Sequence, residues 1–357
     1  MRVARVNLGT AAPADLAGAV LTRDLEVAGE RWAKGRRLSP ADLAALGRAV
    51  PVVESRPITV LIPERGDVHE DEAGRRLAAA VAGSGLRVTE PVQSRVDLRA
   101  TAAGVVHIRS DLVQRLNAID SIEVFTVLDG RVVEGDALVA SVKIAPHLVP
   151  EAVLARAEAA AGRAGRRAGG RRVVSVAPFL PRRVAAIVKE SIRGIARDRF
   201  ETSVRAKVEG LGSTLVAIDY VEDATGPVEA VLGSRVRGRG PDRVDLVLTA
   251  GSSSTDPEDP FFLAIASLGG AIVRHGVPAH PGSMLWLGRV GRVPVIGLPS
   301  CGAYSKATAA DLLLPRLLSG EPASIATVAR LGHGGILTRD QRFRFPAYAR
   351  ELDAPEG

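Results

Sequence analysis

The stretch Thr249-Ala-Gly-Ser-Ser-Ser-Thr-Asp-Pro-Glu-Asp259 sets hydroxyls, carboxylates and a glycine in one short run. Gly251 lets the backbone turn sharply, and Thr249, Ser252, Ser253, Ser254 and Thr255 carry hydroxyls. The apolar run Phe261–Leu268 follows as a helix, and free N–H groups at a helix start favour an anion. Asp256, Glu258 and Asp259 would repel a bare phosphate. The combination therefore suits a phosphate that arrives with a metal ion or a polar heterocycle. Asp256 and Asp259 are candidate Mg²⁺ ligands, because that ion takes one or two carboxylates alongside phosphate oxygens, and Asp256 is the candidate catalytic residue. The same pattern fits an ordinary capped loop, with both aspartates serving as helix caps. Spacing alone leaves the two readings open.

Other side chains add to the inventory. Lys189, Arg193 and Arg197 follow the apolar run Val184–Val188, and arginine forks match phosphate geometry. Lys306, at the start of the last apolar helix, could reach a phosphate as a point charge. Cys301 is the only thiol; it is either a small packing residue or a ligand contact at a strand end. His275 and His280 fit surface or capping positions. His69 stands with Glu70, Asp71 and Glu72, which invites a metal reading. Consecutive helical residues point in different directions, however, and carboxylates in a first turn complement the helix dipole.

These residues need elements to position them, and the C-terminal half supplies a regular alternation. Apolar β-rich runs at Val184–Val188, Leu215–Ile218 and Val244–Thr249 read as strands. Phe200, Val204, Val208 and Leu211 recur at helical spacing, and Pro227–Val236 reads as a short helix. Strands alternating with helices predict an α/β unit with a mostly parallel sheet flanked by helices. Ligands in such sheets bind beyond the carboxyl ends of the strands, which is where the Thr249–Asp259 loop falls. The N-terminal half reads as a β-rich α+β domain. Ser39-Pro40 starts a helix, Ile58–Ile62 is a strand, Arg75–Ala82 is helical, and 104–145 is β-rich with a hairpin turn at Asp129-Gly130. The Gly/Ala-rich stretch Pro150–Gly170 is a helix leading into a joint. The expected organisation is therefore 1–165, 171–322 and a C-terminal tail at 323–357.

Composition bounds the function. Hydrophobic residues are 46% and charged ones 24% of the chain, enough for sizeable cores. No apolar stretch reaches the ~18 residues of a membrane span, and the N-terminus lacks the apolar centre of a signal peptide. A single cysteine excludes an internal disulfide framework and a cysteine-built zinc site. The cytoplasm is the expected compartment. The net charge of +7 comes with scattered arginines and only 3% aromatics, which lacks the stacking surface of a single-strand binder and any nucleic-acid motif. Neither a nucleic acid nor a membrane is an expected partner.

Three motifs in order then resemble the molybdopterin-binding domain shared by the molybdopterin adenylyltransferase and molybdenum insertase families. They are Thr249, Gly251, Ser253 and Asp256 in the loop; Pro281-Gly282; and Leu298-Pro299. The segments Pro281-Gly282-Ser-Met-Leu285-Trp-Leu287-Gly288 and Leu298-Pro299-Ser-Cys301-Gly-Ala-Tyr-Ser-Lys306 are most similar to the variant joined to a molybdenum-cofactor cytidylyltransferase module, here without that module. The resemblance implies molybdopterin or molybdenum cofactor as ligand, held by Thr249, Gly251, Ser252, Ser253, Ser254, Pro281, Gly282, Ser283, Pro299, Ser300, Cys301, Lys306 and Arg193, with Mg²⁺ at Asp256 and Asp259. It implies a part in cofactor biosynthesis, maturation or delivery. A molybdenum hydroxylase or another cofactor-biosynthesis enzyme is the expected partner, and a homo-oligomer the expected state. Two alternatives remain: a molybdopterin molybdenumtransferase or nucleotidyltransferase, and a nucleotide pyrophosphatase of the competence-damage type. The sequence departs from the family pattern in three places. A basic loop stands where insertases carry an acidic one, Ala250 replaces the first loop glycine, and Ser300-Cys301-Gly302 replaces Gly-Asn-Pro.

Overall fold

A computed structural model of the chain describes residues 1–7, 9, 14–49, 57–167, 172–189, 195–299 and 307–350. Among the candidate ligand residues, Arg193, Ser300, Cys301 and Lys306 lie outside the described residues. The described chain forms two units. One comprises 1–101, 107–129 and 135–176; the other comprises 102–106, 130–134 and everything from Ala177 onward.

In the second unit, strand β1 (Arg183–Val188) is apolar on both faces. Val184, Ala186 and Val188 enter one core, while Ala185 and Ile187 enter another. A strand buried on both faces belongs in the middle of a parallel sheet covered by helices. The chain continues through α1 (Ile195–Glu209), β2 (Thr214–Tyr220), α2 (Thr225–Arg237), β3 (Leu246–Ala250), α3 (Pro260–Ser267), β4 (Ala271–His275), β5 (Trp286–Val290), β6 (Val293–Gly297) and α4 (Ala309–Leu318). The sheet order is β2-β1-β3-β6-β5-β4. β2, β1, β3 and β6 run parallel, whereas β5 is antiparallel to both β6 and β4.

The helices divide between the two faces by their apolar stripes. Phe200, Val204 and Val208 of α1 share a core with Leu313, Leu314 and Leu317 of α4. Val228 and Leu232 of α2 share the opposite core with Phe261, Ala264 and Ile265 of α3. The mixed α/β architecture with its mostly parallel sheet is thus present as the alternation predicts. The stretch beyond residue 322, expected as a tail, instead buries Val328, Leu331, Leu337, Phe345 and Ala349 in the first of these cores.

The first unit is β-rich. One antiparallel sheet joins Arg2–Val6, Ile58–Ile62 and Val20–Leu21; a second joins Ile122–Thr126, Leu138–Ile144, Arg95–Ala100 and Leu86–Val88. Ser39 caps the helix Pro40–Arg48 in a full capping box with Asp42. Two readings of the 104–145 stretch are corrected. Ser110–Asn117 is a helix that buries Leu112 and Leu116 one turn apart; with only two turns between β-branched runs, it leaves a weak periodic trace. Asp129-Gly130 is no hairpin turn either. Ile122–Thr126 pairs with Leu138–Ile144, while Val132-Val133 pairs with Gly104-Val105.

The acidic cluster after Gly66 takes the structural role. His69 caps the helix Glu70–Val81, its Nδ1 accepting from the Asp71 N–H at 3.3 Å, and Glu70 is buried against His147 Nδ1 at 2.9 Å. Among the described residues, no group of three or more His, Cys, Asp or Glu side chains could hold a metal. No helix there is long and apolar enough to cross a membrane.

Candidate functional site

The carboxyl ends of β1, β2 and β3 meet at Lys189. This residue follows β1 directly, and its side chain is almost wholly buried. Nζ lies 2.7 Å from Asp259 Oδ2 and 3.0 Å from Asp223 Oδ1. Asp259 is 1% exposed, whereas the Asp223 side chain is 65% exposed, so one partner is sealed in and the other faces solvent. Burial alone would depress the ammonium pKa. The two carboxylates outweigh that effect and hold Lys189 above the usual lysine value.

Asp259 organises the loop that precedes it. Oδ1 accepts the Phe261 N–H at 2.9 Å as the cap of α3, and Oδ2 accepts the Ser253 N–H at 2.7 Å as well as the Lys189 ammonium. The carboxylate is therefore fully engaged within the protein, which accounts for it without Mg²⁺. Asp256 is exposed, and its Oδ1 accepts the Glu258 N–H at 2.9 Å, a local turn. Neither aspartate belongs to a metal-binding cluster among the described residues, so the Mg²⁺ expectation gains no support from either side chain. The capping reading of Asp259, left open by spacing, is the geometry observed.

The rest of the loop is anchored at its start. Thr249 is buried, and its carbonyl accepts the Leu298 N–H at 2.8 Å, tying β3 to the strand end before Pro299. Gly251 has φ +86°, a left-handed conformation that glycine adopts without strain. Ser252 Oγ accepts the indole N–H of Trp286 at 2.9 Å. That indole lies against Gly297, where any Cβ would overlap it, and Phe262 meets its ring edge-on at 5.1 Å. The side chains of Ser253, Ser254 and Thr255 make no hydrogen bond among the described residues. The result is a turn held by its backbone and by Ser252, with the Ser253, Ser254 and Thr255 hydroxyls unengaged among the described residues.

Pro281 and Gly282 lie against the start of α4. The Pro281 carbonyl accepts the Ala309 N–H at 2.9 Å. Gly282 has φ +101°, and a Cβ there would press on Thr308 and the Ala309 backbone. Ser283 is half-buried, and its carbonyl accepts the Val277 N–H at 2.9 Å, closing the 277–283 loop. His280 pairs through its backbone with Gly335 and Leu337, and His275 packs edge-on against Phe262 at 5.1 Å. Arg197, expected in the loop after β1, lies in α1. It stacks 4.2 Å above the Tyr220 ring and bonds Glu201 at 2.8 Å. Glu201 also accepts from the Tyr220 hydroxyl at 3.0 Å; burial and this bond push the phenol pKa up to about 12.

Sequence reasoning did not single out Asp223 or Trp286. An acidic residue just beyond a strand's carboxyl end is the only trace Asp223 leaves, and nothing local marks Trp286 as a partner of Ser252. A third cluster was equally hidden. Asp311 is wholly buried, taking Lys207 Nζ at 2.5 Å, the Tyr348 hydroxyl at 3.1 Å and the Thr308 N–H at 2.9 Å.

Fold and site together define a class: a mostly parallel α/β unit that presents a hydroxyl-bearing loop, backed by a buried lysine, at the carboxyl edge of its sheet. Residues 183–319 match the family model described as a probable molybdopterin binding domain. That span opens at the first residue of β1 and closes just after α4. Solved structures also resemble the chain. The molybdopterin biosynthesis enzyme MoaB from Thermus thermophilus is 20% identical over 40% of this chain and 99% of its own, with a TM-score of 0.29. The molybdopterin biosynthesis MoeA protein from Pyrococcus horikoshii is 15% identical over 74% and 81%, with a TM-score of 0.29. A molybdenum cofactor biosynthesis protein B is 15% identical over 43% and 98%, with a TM-score of 0.28. No curated protein matches the chain.

Proposed function

We propose that this protein binds molybdopterin or the molybdenum cofactor by its phosphate at the Thr249–Asp259 loop, and acts in the biosynthesis, maturation or delivery of that cofactor to molybdoenzymes. The observation that carries the reading is the loop itself, which lies inside the span matching the probable molybdopterin binding domain. Its backbone is fixed by Asp259 and its Ser253 and Ser254 hydroxyls are unengaged among the described residues. The residues fit the group: hydroxyls supply neutral donors to phosphate oxygens, and Lys189 supplies a buried positive charge behind them. Asp223, the exposed partner of Lys189, occupies the position of a competing anion. A phosphate entering the site takes over its share of the lysine charge, while Asp259 keeps the loop in place. A pterin-phosphate carrier needs no more than this, since binding and release require neither a general acid nor a nucleophile.

The test is expression in a molybdopterin-producing host, followed by oxidation of the purified protein to fluorescent pterin derivatives and their identification by chromatography. Pterin is expected at near-stoichiometric levels. Its absence from well-folded protein, or phosphate release from dinucleotides instead, would overturn the proposal. Ser253→Ala is expected to weaken retention by about 1–2 kcal/mol, because hydrogen bonds to charged groups are worth ~1.5–3. Gly251→Val should cost more, by blocking the backbone's turn.

A further inference from the structure

The starting edge of the same sheet, opposite the serine loop, bounds a cavity of about 680 Å³. Strand register builds its floor. Leu246 stands one residue before the Val247–Val295 pair; Pro294 pairs with Arg289, and Arg289 with Ala271. These residues form a row across β3, β6, β5 and β4. Leu246 and Leu317 belong to the core under α4, Val273 packs against it, and all three reach the cavity as apolar lining. The chain leaving α4, from Gly320 to Ala326, forms the remaining wall.

The charges around this floor are unbalanced. Both acidic residues in the lining are already engaged. Glu321 is buried with Arg316 at 2.8 Å, and Asp245 accepts the Arg183 N–H at 3.0 Å while lying 3.3 Å from Arg243 and 3.9 Å from Arg182. Arg289 and Arg292 are exposed, and their guanidinium groups make no ion pair or hydrogen bond among the described residues. A concave apolar surface with two free guanidinium groups at its rim is complementary to an anion carried on an apolar body. Its size falls in the ~300–1,000 Å³ range of small-molecule sites, and arginine forks bind carboxylate-like oxygens in pairs.

We propose that this cavity is a second binding site, independent of the serine loop, for a small organic anion: a carboxylate, sulfonate or phosphate borne on a flat apolar body. The body lies on Leu246, Val273 and Leu317, and the anionic group meets Arg289 and Arg292. The probe is 1-anilinonaphthalene-8-sulfonate, titrated by fluorescence into the full-length protein. Its uncharged parent, N-phenyl-1-naphthylamine, should bind about tenfold more weakly. The double variant Arg289→Ser/Arg292→Ser should lose about tenfold in affinity for the sulfonate with an unchanged melting temperature, the scale of lost charge-assisted contacts. Arg289→Lys/Arg292→Lys should retain most of it. Equal affinity in the wild type and the serine double variant would overturn the proposal, as would equal affinity for the charged and uncharged probes. Ser253→Ala must leave sulfonate binding unchanged; if it weakens that binding, the probe sits at the serine loop and the second site falls.

Discussion

At the scale of single residues, the Lys189–Asp259 pair decides how the loop stands. Both side chains are nearly inaccessible, and removing one partner of such a pair strands the other as an unpaired buried charge. Lys189→Met is therefore expected to lower unfolding stability by roughly 3–5 kcal/mol, measured by urea denaturation; a loss below about 1 kcal/mol would mean that the two N–H donors alone carry the Asp259 charge. Asp223→Asn separates binding from folding. Its side chain is exposed, so stability should hardly change, while pterin retention should tighten about five- to tenfold as the competing carboxylate is lost (tenfold being ~1.4 kcal/mol). Weaker retention would show that Asp223 helps hold the ligand. The titration of Tyr220 offers a separate check. With its pKa raised to about 12 by burial and by Glu201, its phenol should stay protonated when an ordinary tyrosine, near pH ~10, has ionised. Absorbance at alkaline pH reads this, and Glu201→Gln should bring the midpoint down.

At the scale of elements, two capping boxes tie helix starts to the chain before them: Ser39 with Asp42, and Thr308 with Asp311. Ser39→Ala should cost about 1 kcal/mol of stability. Asp42 is held below the usual carboxylate pKa by its bonds to Ser39 and Arg36, which outweigh the opposing effect of burial. The sign follows from linkage. A folded pKa lower than the unfolded one gives stability that is present above pH ~3.9 and lost as pH falls through the folded value. The stability difference between wild type and Asp42→Asn should thus be constant from pH 7 to 5 and shrink below pH 4; a difference that persists undiminished there would assign the effect to packing. At the other helix start, Gly282→Ala meets both a left-handed φ and the Thr308 side chain. A loss of about 1–3 kcal/mol is expected for backbone held in that region, with the melting temperature as the readout.

At the scale of the whole molecule, the C-terminal unit is not one continuous segment. It takes in Ala102–Val106 and Gly130–Glu134, where Val132 and Val133 pair with Val105 and Gly104, and the four valines Val105, Val106, Val132 and Val133 are buried. Full burial of such a side chain contributes about 1.5–3 kcal/mol. A fragment beginning at Arg172 has the whole six-stranded sheet but lacks these two segments. It should remain folded by circular dichroism yet unfold at a distinctly lower urea concentration than this unit does in the full-length protein. Identical midpoints would show that residues 102–106 and 130–134 add nothing to its stability.

The sequence by itself determined three of the six strands of the sheet and the position of the loop. Apolar β-rich runs such as Val184–Val188 and Val244–Thr249 read as strands, the Phe200–Leu211 stripe reads as a helix, and their alternation places the Thr249–Asp259 loop at the carboxyl edge. It also placed Ser39 as a helix cap, because capping is decided within a few residues. What it left undecided involves partners far apart in the chain. Lys189 and Asp259 are 70 residues apart, and Lys207 and Asp311 are 104 apart; only the β2-β1-β3-β6 order brings them within bonding distance. For that reason Asp259 read equally well as a metal ligand or a cap, Lys189 read only as one of three basic residues after β1 that could meet a phosphate, and the arginine-rimmed cavity along β3, β6, β5 and β4 left no mark at all. Local pattern fixes what each segment becomes, whereas the order and register of the strands, set by how their faces pack, fix which side chains meet.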